Sequence, residues 1–119
     1  MSKTINIALL GLGTDGQGIV NVLKENNHEI SQKVGFPINI KTVLVRNIEK
    51  AKAFDASLNL TTDFSDIIND AEINIVVEVM GGENPARQYM LQALQAKKHV
   101  ITANKDVVAL HGREMFEAA

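Results

Sequence analysis

The sequence contains no cysteine, and this absence excludes a disulfide framework, a thiolate metal site and a cysteine nucleophile. Long apolar stretches are also missing, since no run approaches the roughly 18 residues that a membrane-spanning helix needs. Neither sign of charge is in large excess, because the formal net charge is -2. Such a charge offers no general attraction to nucleic acid or to an acidic membrane, so any phosphate binding must be local.

The size and composition of the chain are those of one globular domain. Its 119 residues are enough to bury a single core. The hydrophobic share of 45% and the charged share of 22% are ordinary for a soluble protein. Residues 1–4 lead straight into an apolar-rich strand and lack the architecture of a signal peptide. We therefore expect one cytoplasmic domain over residues 1–119, with no metal site and no nucleic-acid or membrane partner.

Short β-rich runs alternate with helical patterns along the whole chain, which is typical of βαβ units. The strands are predicted over 5–10, 38–45, 58–61, 73–79 and 99–102. Two helices are predicted over 16–33 and 49–57. A short helix can be capped by Thr62 and Asp63 and ends near Asp70, and another covers 104–119 with a break at His111 and Gly112. A further helix has Asn84 as its N-cap, Pro85 as its first residue and a buried stripe of Ala86, Tyr89, Met90, Ala93 and Leu94. This pattern predicts an α/β fold of the Rossmann type, a doubly wound and mainly parallel sheet with helices on both faces.

A glycine-rich loop joins the first strand to the first helix and has the form G-x-G-x-x-G, namely Gly11, Leu12, Gly13, Thr14, Asp15 and Gly16. We expect Gly11 to permit the tight turn, Gly13 to let a pyrophosphate approach the backbone, and Gly16 to let the helix pack close to the strand. The N–H groups and the positive end of the helix would then hold the phosphates. The strand before and the helix after favour this interpretation over a glycine turn without a ligand.

Asp15 is unusual because it brings a negative charge into a loop that should bind phosphate. We expect its side chain to point to solvent or to cap the helix.

Arg46 follows the second strand, where an NAD-preferring site usually has an acid that accepts from the ribose 2′-hydroxyl. A guanidinium there suits a 2′-phosphate, and Lys50 and Lys52 could add charge. The alternative is a solvated basic loop. NADP is therefore the favoured cofactor, with NAD tolerated.

The second half of the chain resembles the homoserine dehydrogenase family closely. Three runs carry the resemblance together with the first glycine loop: residues 77–82 with the sequence VEVMGG, Pro85 with Ala86, and residues 99–105 with the sequence HVITANK. Residues 109–112 match as well, so the resemblance covers the whole chain. The sequence departs from the family at Asp15, where an apolar residue is usual.

The resemblance implies NAD(P)-dependent interconversion of homoserine and aspartate 4-semialdehyde, a step toward threonine, isoleucine and methionine. Carried over by position, it assigns cofactor contacts to Gly11, Leu12, Gly13, Thr14, Asp15, Gly16, Arg46, Met80, Gly81, Gly82, Thr102, Asn104 and Lys105. Lys105 matches a family lysine near substrate and nicotinamide, and is the catalytic candidate. Its alternative is a surface cation at a helix start, and Asn104 is also a plausible helix cap. Glu78 is either a site acid or a strand-end carboxylate bonded to loop amides.

The resemblance also implies a further mixed α/β domain that carries the acid/base groups, the amino-acid contacts and a monovalent-cation site. The helical pattern runs to Ala119 without a stop signal, so we expect more protein to follow. On this interpretation the 119 residues alone bind cofactor without turnover, and a homo-oligomer forms only with the missing domain. Two alternatives remain: the cofactor domain of another amino-acid or sugar dehydrogenase, and a dinucleotide sensor without catalysis.

Overall fold

The computed structural model describes residues 4–82 and 84–102, apart from the Val34 side chain. Five strands and four helices alternate within them. The strands are β1 (Ile5–Leu10), β2 (Ile38–Leu44), β3 (Leu60–Thr61), β4 (Ile75–Glu78) and β5 (His99–Thr102). The helices are α1 (Thr14–Val34), α2 (Ile48–Phe54), α3 (Ser65–Ile68) and α4 (Ala86–Gln95). The helix predicted over 104–119 lies outside the described residues.

The five strands form one sheet in the order β3-β2-β1-β4-β5, and every neighbouring pair is parallel. This confirms the predicted Rossmann-type sheet. The chain moves outward from β1 to β2 and β3, and then returns to place β4 on the other side of β1. The strand order therefore reverses between β1 and β4, and folds of this kind bind ligands beyond the carboxyl ends of the strands at such a point.

Both faces of the sheet are covered, as the continuous apolar runs of the strands predict. Successive side chains of a strand point to opposite faces. Leu9 therefore packs with Val20 of α1 and Val43 of β2, whereas Ala8 and Leu10 pack on the other face. That second face is covered by residues from α3 and α4 and from the segments beside them, among them Phe64, Ile67, Ile73 and Ala93. None of the helices in the described ranges is long and apolar enough to cross a membrane.

Local side-chain hydrogen bonds set several helix boundaries. Helix α2 begins at Ile48 because the Asn47 side chain accepts from the Lys50 N–H at 3.0 Å. It ends at Phe54, earlier than predicted, since Asp55 is extended with φ -158° and ψ 103°. The expected cap of α3 by Thr62 or Asp63 is wrong, because Phe64 occupies the N-cap position and has no side-chain cap bond. Asp63 lies one residue earlier and accepts from the Ser65 N–H at 2.9 Å.

The predicted start of the fourth helix is wrong. Asn84 is not its N-cap, because α4 begins at Ala86 and Pro85 occupies the position before it. Without a side-chain acceptor at Pro85, the helix has no side-chain cap. The buried stripe is close to the prediction, since Ala86, Met90 and Ala93 are buried. Tyr89 and Leu94 are only partly buried.

Candidate functional site

The turn between β1 and α1 requires glycine at its first position. Gly11 has φ of 101°, in the left-handed region that side chains disfavour. A β-carbon there would also lie 3.2 Å from the Met80 Cα, so the turn packs tightly against the chain that follows β4. The Gly11 N–H donates to the Leu44 carbonyl at 2.9 Å, which ties the turn to the end of β2. The predicted role of Gly11 in a tight turn is confirmed by this geometry.

Gly13 and Gly16 meet opposite surroundings. A β-carbon at Gly16 would lie 2.5 Å from the Gly11 carbonyl oxygen, so only glycine allows helix α1 to begin this close to the turn. A β-carbon at Gly13 would meet no described residue within 4 Å, and its φ of -77° suits any residue. The described part of the chain therefore does not demand glycine at position 13. The open space in front of this backbone is available to a ligand.

The first turn of α1 is suited to binding an anion. Gly13 is the residue before the helix, and no side chain caps the free N–H groups of the first turn. These groups and the positive end of the first part of α1, which runs from Thr14 to a kink at Asn26, attract phosphate. Asp15 also lies in this turn and is exposed, in agreement with the expectation that its carboxylate faces solvent. It does not cap the helix, because it lies inside it.

A cleft of about 620 Å³ opens at this point, at the carboxyl edge of the sheet. The ends of β1, β2 and β4 contribute to its walls. It brings together five of the predicted cofactor residues, Gly11, Leu12, Gly13, Arg46 and Met80. Thr14, Asp15, Gly16, Gly81, Gly82 and Thr102 do not line it. Asn104 and Lys105 lie outside the described residues.

Two cations stand at the β2 side of the cleft. Arg46 follows β2 after one residue, and Lys50 lies in the first turn of α2. Both line the cleft and are exposed. Within residues 4–82 and 84–102 neither of them forms an ion pair. Their positive charges are therefore not compensated by the described part of the chain and face the open cleft.

The chain after β4 forms the opposite wall of the cleft. Gly81 and Gly82 follow Met80 and have φ of 75° and 76°, so this bend also needs glycine. Met80 lines the cleft, and its N–H donates to the Glu78 carboxylate at 2.7 Å. Of the two alternatives for Glu78, the structure shows the strand-end carboxylate bonded to a loop amide. Thr102 donates its hydroxyl to the same carboxylate at 2.7 Å.

Several residues of the cleft were not predicted from the sequence as site residues. They are Gln17, Asn47, Thr62, Pro85 and Tyr89. Of the two lysines that could add charge beside Arg46, Lys50 lines the cleft and Lys52 does not. The ring of Tyr89 stacks on Phe64 with centroids 4.2 Å apart. Pro85 and Tyr89 are four residues apart, so they share one face at the start of α4, and this spacing was the available signal. Thr62 carried no such signal, because its position depends on the short strand β3.

Comparison with known proteins identifies the family. Residues 11–119 match the family model "Homoserine dehydrogenase, NAD binding domain". The homoserine dehydrogenase of Bacillus subtilis is 42% identical over 98% of this chain. The crystal structure of a homoserine dehydrogenase from Thiobacillus denitrificans superposes on 99% of the chain with a TM-score of 0.95 and 47% identity. This chain spans 27% of the length of each of these two proteins.

A more distant structure shares the fold alone. It is a hyperthermophilic archaeal homoserine dehydrogenase mutant in complex with NADPH, with a TM-score of 0.76 and 19% identity over 98% of this chain. The cofactor domain of an unrelated amino-acid or sugar dehydrogenase is no longer a valid alternative, since the family match extends over nearly the whole chain. The glycine turn, the cleft where the strand order reverses, and these matches agree. This chain belongs to the homoserine dehydrogenase family and is an NAD-binding domain of that family.

Proposed function

We propose that this chain binds NADP(H) in the cleft at the carboxyl edge of the sheet, and prefers it to NAD(H). The protein of which it is the cofactor domain interconverts L-homoserine and L-aspartate 4-semialdehyde. The observation that carries the proposal is the position of the open backbone at Gly13 and the uncompensated Arg46 in one cleft. When bound, the dinucleotide supplies the hydride chemistry of this reaction.

The glycine turn supports binding of the pyrophosphate. The open space at Gly13 is one that a β-carbon would fill, and the first-turn N–H groups of α1 have no side-chain cap. Both features suit a phosphate group that reaches the backbone directly. The residues present therefore fit the group that the family name implies. Gly11, Leu12, Gly13 and Thr14 are the proposed pyrophosphate contacts, and Gly16 supports them from behind the turn.

Arg46 supports the choice of NADP(H). The adenosine ribose lies beyond the end of β2 in folds of this kind, which is where Arg46 stands. Its guanidinium can donate two hydrogen bonds to a 2′-phosphate, and Lys50 adds a second positive charge beside it. An acid that would accept from the 2′-hydroxyl of NAD is absent at positions 46 and 47. The archaeal family member in complex with NADPH is compatible with this choice.

The nicotinamide end is proposed to lie along Met80, Gly81 and Gly82, on the far side of β1 from Arg46. A β-carbon at either glycine would meet no described residue within 4 Å, so a ligand can approach this backbone closely. Thr102 ends the neighbouring strand β5, and Asn104 and Lys105 follow it in sequence. Lys105 is proposed to lie near substrate and nicotinamide.

Titration with NADPH and with NADH, by calorimetry or by nicotinamide fluorescence, tests the proposed binding. We expect both to bind and NADPH to bind more tightly. Equal or reversed affinities would contradict the role of Arg46, and failure of both to bind would contradict the site.

A second assay tests whether the chain binds cofactor without catalysing the reaction. Homoserine and NADP are mixed with the 119-residue chain, and nicotinamide absorbance is followed. We expect no turnover, because hydride transfer needs the alcohol held against the ring and a group positioned to take its proton. A lysine side chain alone is a poor base at neutral pH, since its ammonium form is the ordinary one there. Turnover that disappears in Lys105→Ala would show that this chain carries the chemistry itself.

A further inference from the structure

Glu78 is the one acidic side chain among the buried residues of the described ranges, and the binding scheme above assigns it no contact with a ligand. Its residue is 0% exposed. It ends β4, directly between β1 and β5, with Leu10 as its register partner on one side and Thr102 on the other. Burying a carboxyl group costs free energy unless hydrogen bonds replace its water contacts. The structure supplies two such bonds.

The two bonds join segments that are distant in the sequence. One carboxylate oxygen, Oε2, accepts from the Met80 N–H at 2.7 Å, and Oε1 accepts from the Thr102 hydroxyl at 2.7 Å. The first bond is local, while the second reaches across 24 residues to the end of β5. The carboxylate therefore links the chain leaving β4 with the chain leaving β5.

The Met80 backbone that Glu78 binds is itself a wall of the cleft. It packs against the glycine turn so closely that a β-carbon at Gly11 would lie 3.2 Å from its Cα. The left-handed bend at Gly81 begins at the next residue. One buried carboxylate thus joins the chain leaving β4, beside the glycine turn, to the chain leaving β5.

Packing alone does not call for a carboxylate at this position. Val76 lies two residues earlier on the same face of β4 and is buried as an apolar residue among the core side chains. An apolar residue at position 78 would avoid the cost of burying a carboxyl group, but it would remove the acceptor of the Met80 N–H and the Thr102 hydroxyl. A buried polar group that is retained in such a place often specifies one geometry rather than adding stability.

We propose that Glu78 is a positioning residue for the nicotinamide half of the cofactor, a role that rests on the proposed function. By holding the Met80 N–H and the Thr102 hydroxyl together, it keeps the bend at Gly81 and Gly82 in the conformation that accepts this half. The adenosine half depends on the glycine turn and on Arg46, and neither is hydrogen-bonded to Glu78 within the described residues. Loss of the carboxylate should therefore weaken binding of the nicotinamide half and leave binding of the adenosine half unchanged.

Two near-isosteric variants, Glu78→Gln and Thr102→Val, test the proposal with two ligands. Glu78→Gln removes the charge that strengthens both hydrogen bonds, since its amide oxygen can still accept from the Met80 N–H while its amide nitrogen can only donate to the Thr102 hydroxyl. Thr102→Val removes the hydroxyl. Each variant is titrated with NADPH and with adenosine 2′,5′-bisphosphate, which lacks the nicotinamide half. We expect NADPH to bind at least about fivefold more weakly, because a hydrogen bond to a charged group is lost or replaced by a neutral one, while the affinity for the bisphosphate changes by less than about twofold.

Matched controls separate positioning from general damage. Thr102→Ser keeps the hydroxyl and should restore NADPH binding. Thr42→Val removes a buried threonine hydroxyl from β2, where its partner is the Asn59 side chain, and should leave both ligands unaffected. Circular dichroism checks folding of each variant, and if Glu78→Gln does not fold, Thr102→Val decides alone.

The positioning role would be overturned if the folded variants bound both ligands equally more weakly, or if they bound NADPH as tightly as the unaltered chain. Either result would leave the proposed function intact. If the unaltered chain bound neither ligand, the proposed function itself would fail, and the positioning role with it.

Discussion

The carbonyl oxygen of Gly11 lies 2.5 Å from the point where a side chain at Gly16 would begin. The two glycines belong to the same loop motif, but they resist substitution for different reasons. Of the two, only Gly11 has a positive φ, which disfavours any other residue. Gly16 lies in helix α1 and could adopt its backbone conformation with any side chain. Contact with Gly11 is therefore the reason that position 16 must be glycine.

Gly16→Ala should destabilise the fold, because the added methyl group collides with backbone that cannot move aside. We expect the free energy of unfolding to fall by about 1–3 kcal/mol, a range typical of overpacking. Gly18→Ala is the control, since it lies in the same helix and a β-carbon there meets nothing within 4 Å. It should stabilise the protein by up to about 1 kcal/mol through helix propensity. Denaturant unfolding measures both, and equal effects would contradict the steric argument.

Gly13→Val should nearly abolish binding of NADPH while leaving the domain folded. The side chain would enter space that the protein leaves open, which is the proposed path of the pyrophosphate. Gly18→Val adds the same side chain within helix α1 and outside the cleft, and should bind NADPH as the unaltered chain does. Calorimetric titration of both variants is the measurement. Full affinity in Gly13→Val would mean that the loop is only a turn.

Arg46→Ala should weaken NADPH binding by about 1.5–3 kcal/mol, the range for a hydrogen bond to a charged group. NADH has no 2′-phosphate, so its affinity should barely change. Lys52→Ala removes a neighbouring exposed cation that does not line the cleft, and should leave the ratio of the two affinities unchanged. An equal loss of affinity for both cofactors in Arg46→Ala would show that Arg46 stabilises the loop and does not bind the 2′-phosphate.

Asp15→Asn should hold or improve the affinity for NADPH. The exposed carboxylate lies in the first turn of α1, close to the proposed phosphate position, where its charge repels an anion. The same charge favours the helix dipole, so the variant should lose about 0.3–1 kcal/mol of stability. Cofactor titration and thermal unfolding measure the two effects separately. A marked loss of affinity would show that Asp15 contributes to the site.

The loop after α2 should lose part of its stabilisation in acid. The Lys24 ammonium, with the hydroxyl and N–H of Ser57, lowers the pKa of the Asp55 carboxyl from 3.8 to about 2. Because the pKa is lower in the folded chain than in the unfolded one, this contribution is complete above pH 3.8 and is lost as the pH falls through about 2. Asp55→Asn and Lys24→Met should both flatten the dependence of unfolding free energy on pH in that window. An unchanged acid dependence in both would contradict the pairing.

The number of strands and their order along the chain follow from the sequence, because the apolar runs can be recognised locally. Two strands are shorter than predicted, since β3 covers only Leu60–Thr61 and β4 only Ile75–Glu78. Ile5–Leu10 and His99–Thr102 were predicted with their observed bounds. The boundaries of the helices are less accurate, since they depend on the backbone conformation and side-chain bonds of single residues. The end of α2 at Phe54 is decided by the extended Asp55, and the start of α4 by Pro85 rather than by Asn84.

The sequence by itself determined the family, the glycine turn and the basic residue after β2, because these are contiguous patterns. Only the tertiary structure decided which residues meet. Strand register places Glu78 beside Thr102, and the short β3 brings Thr62 to the same cleft as Tyr89. Parallel strands pair through long connections, so residues that share one edge of the sheet are separated by a whole helix and its loops. Their proximity therefore follows from how the sheet is assembled and not from local spacing.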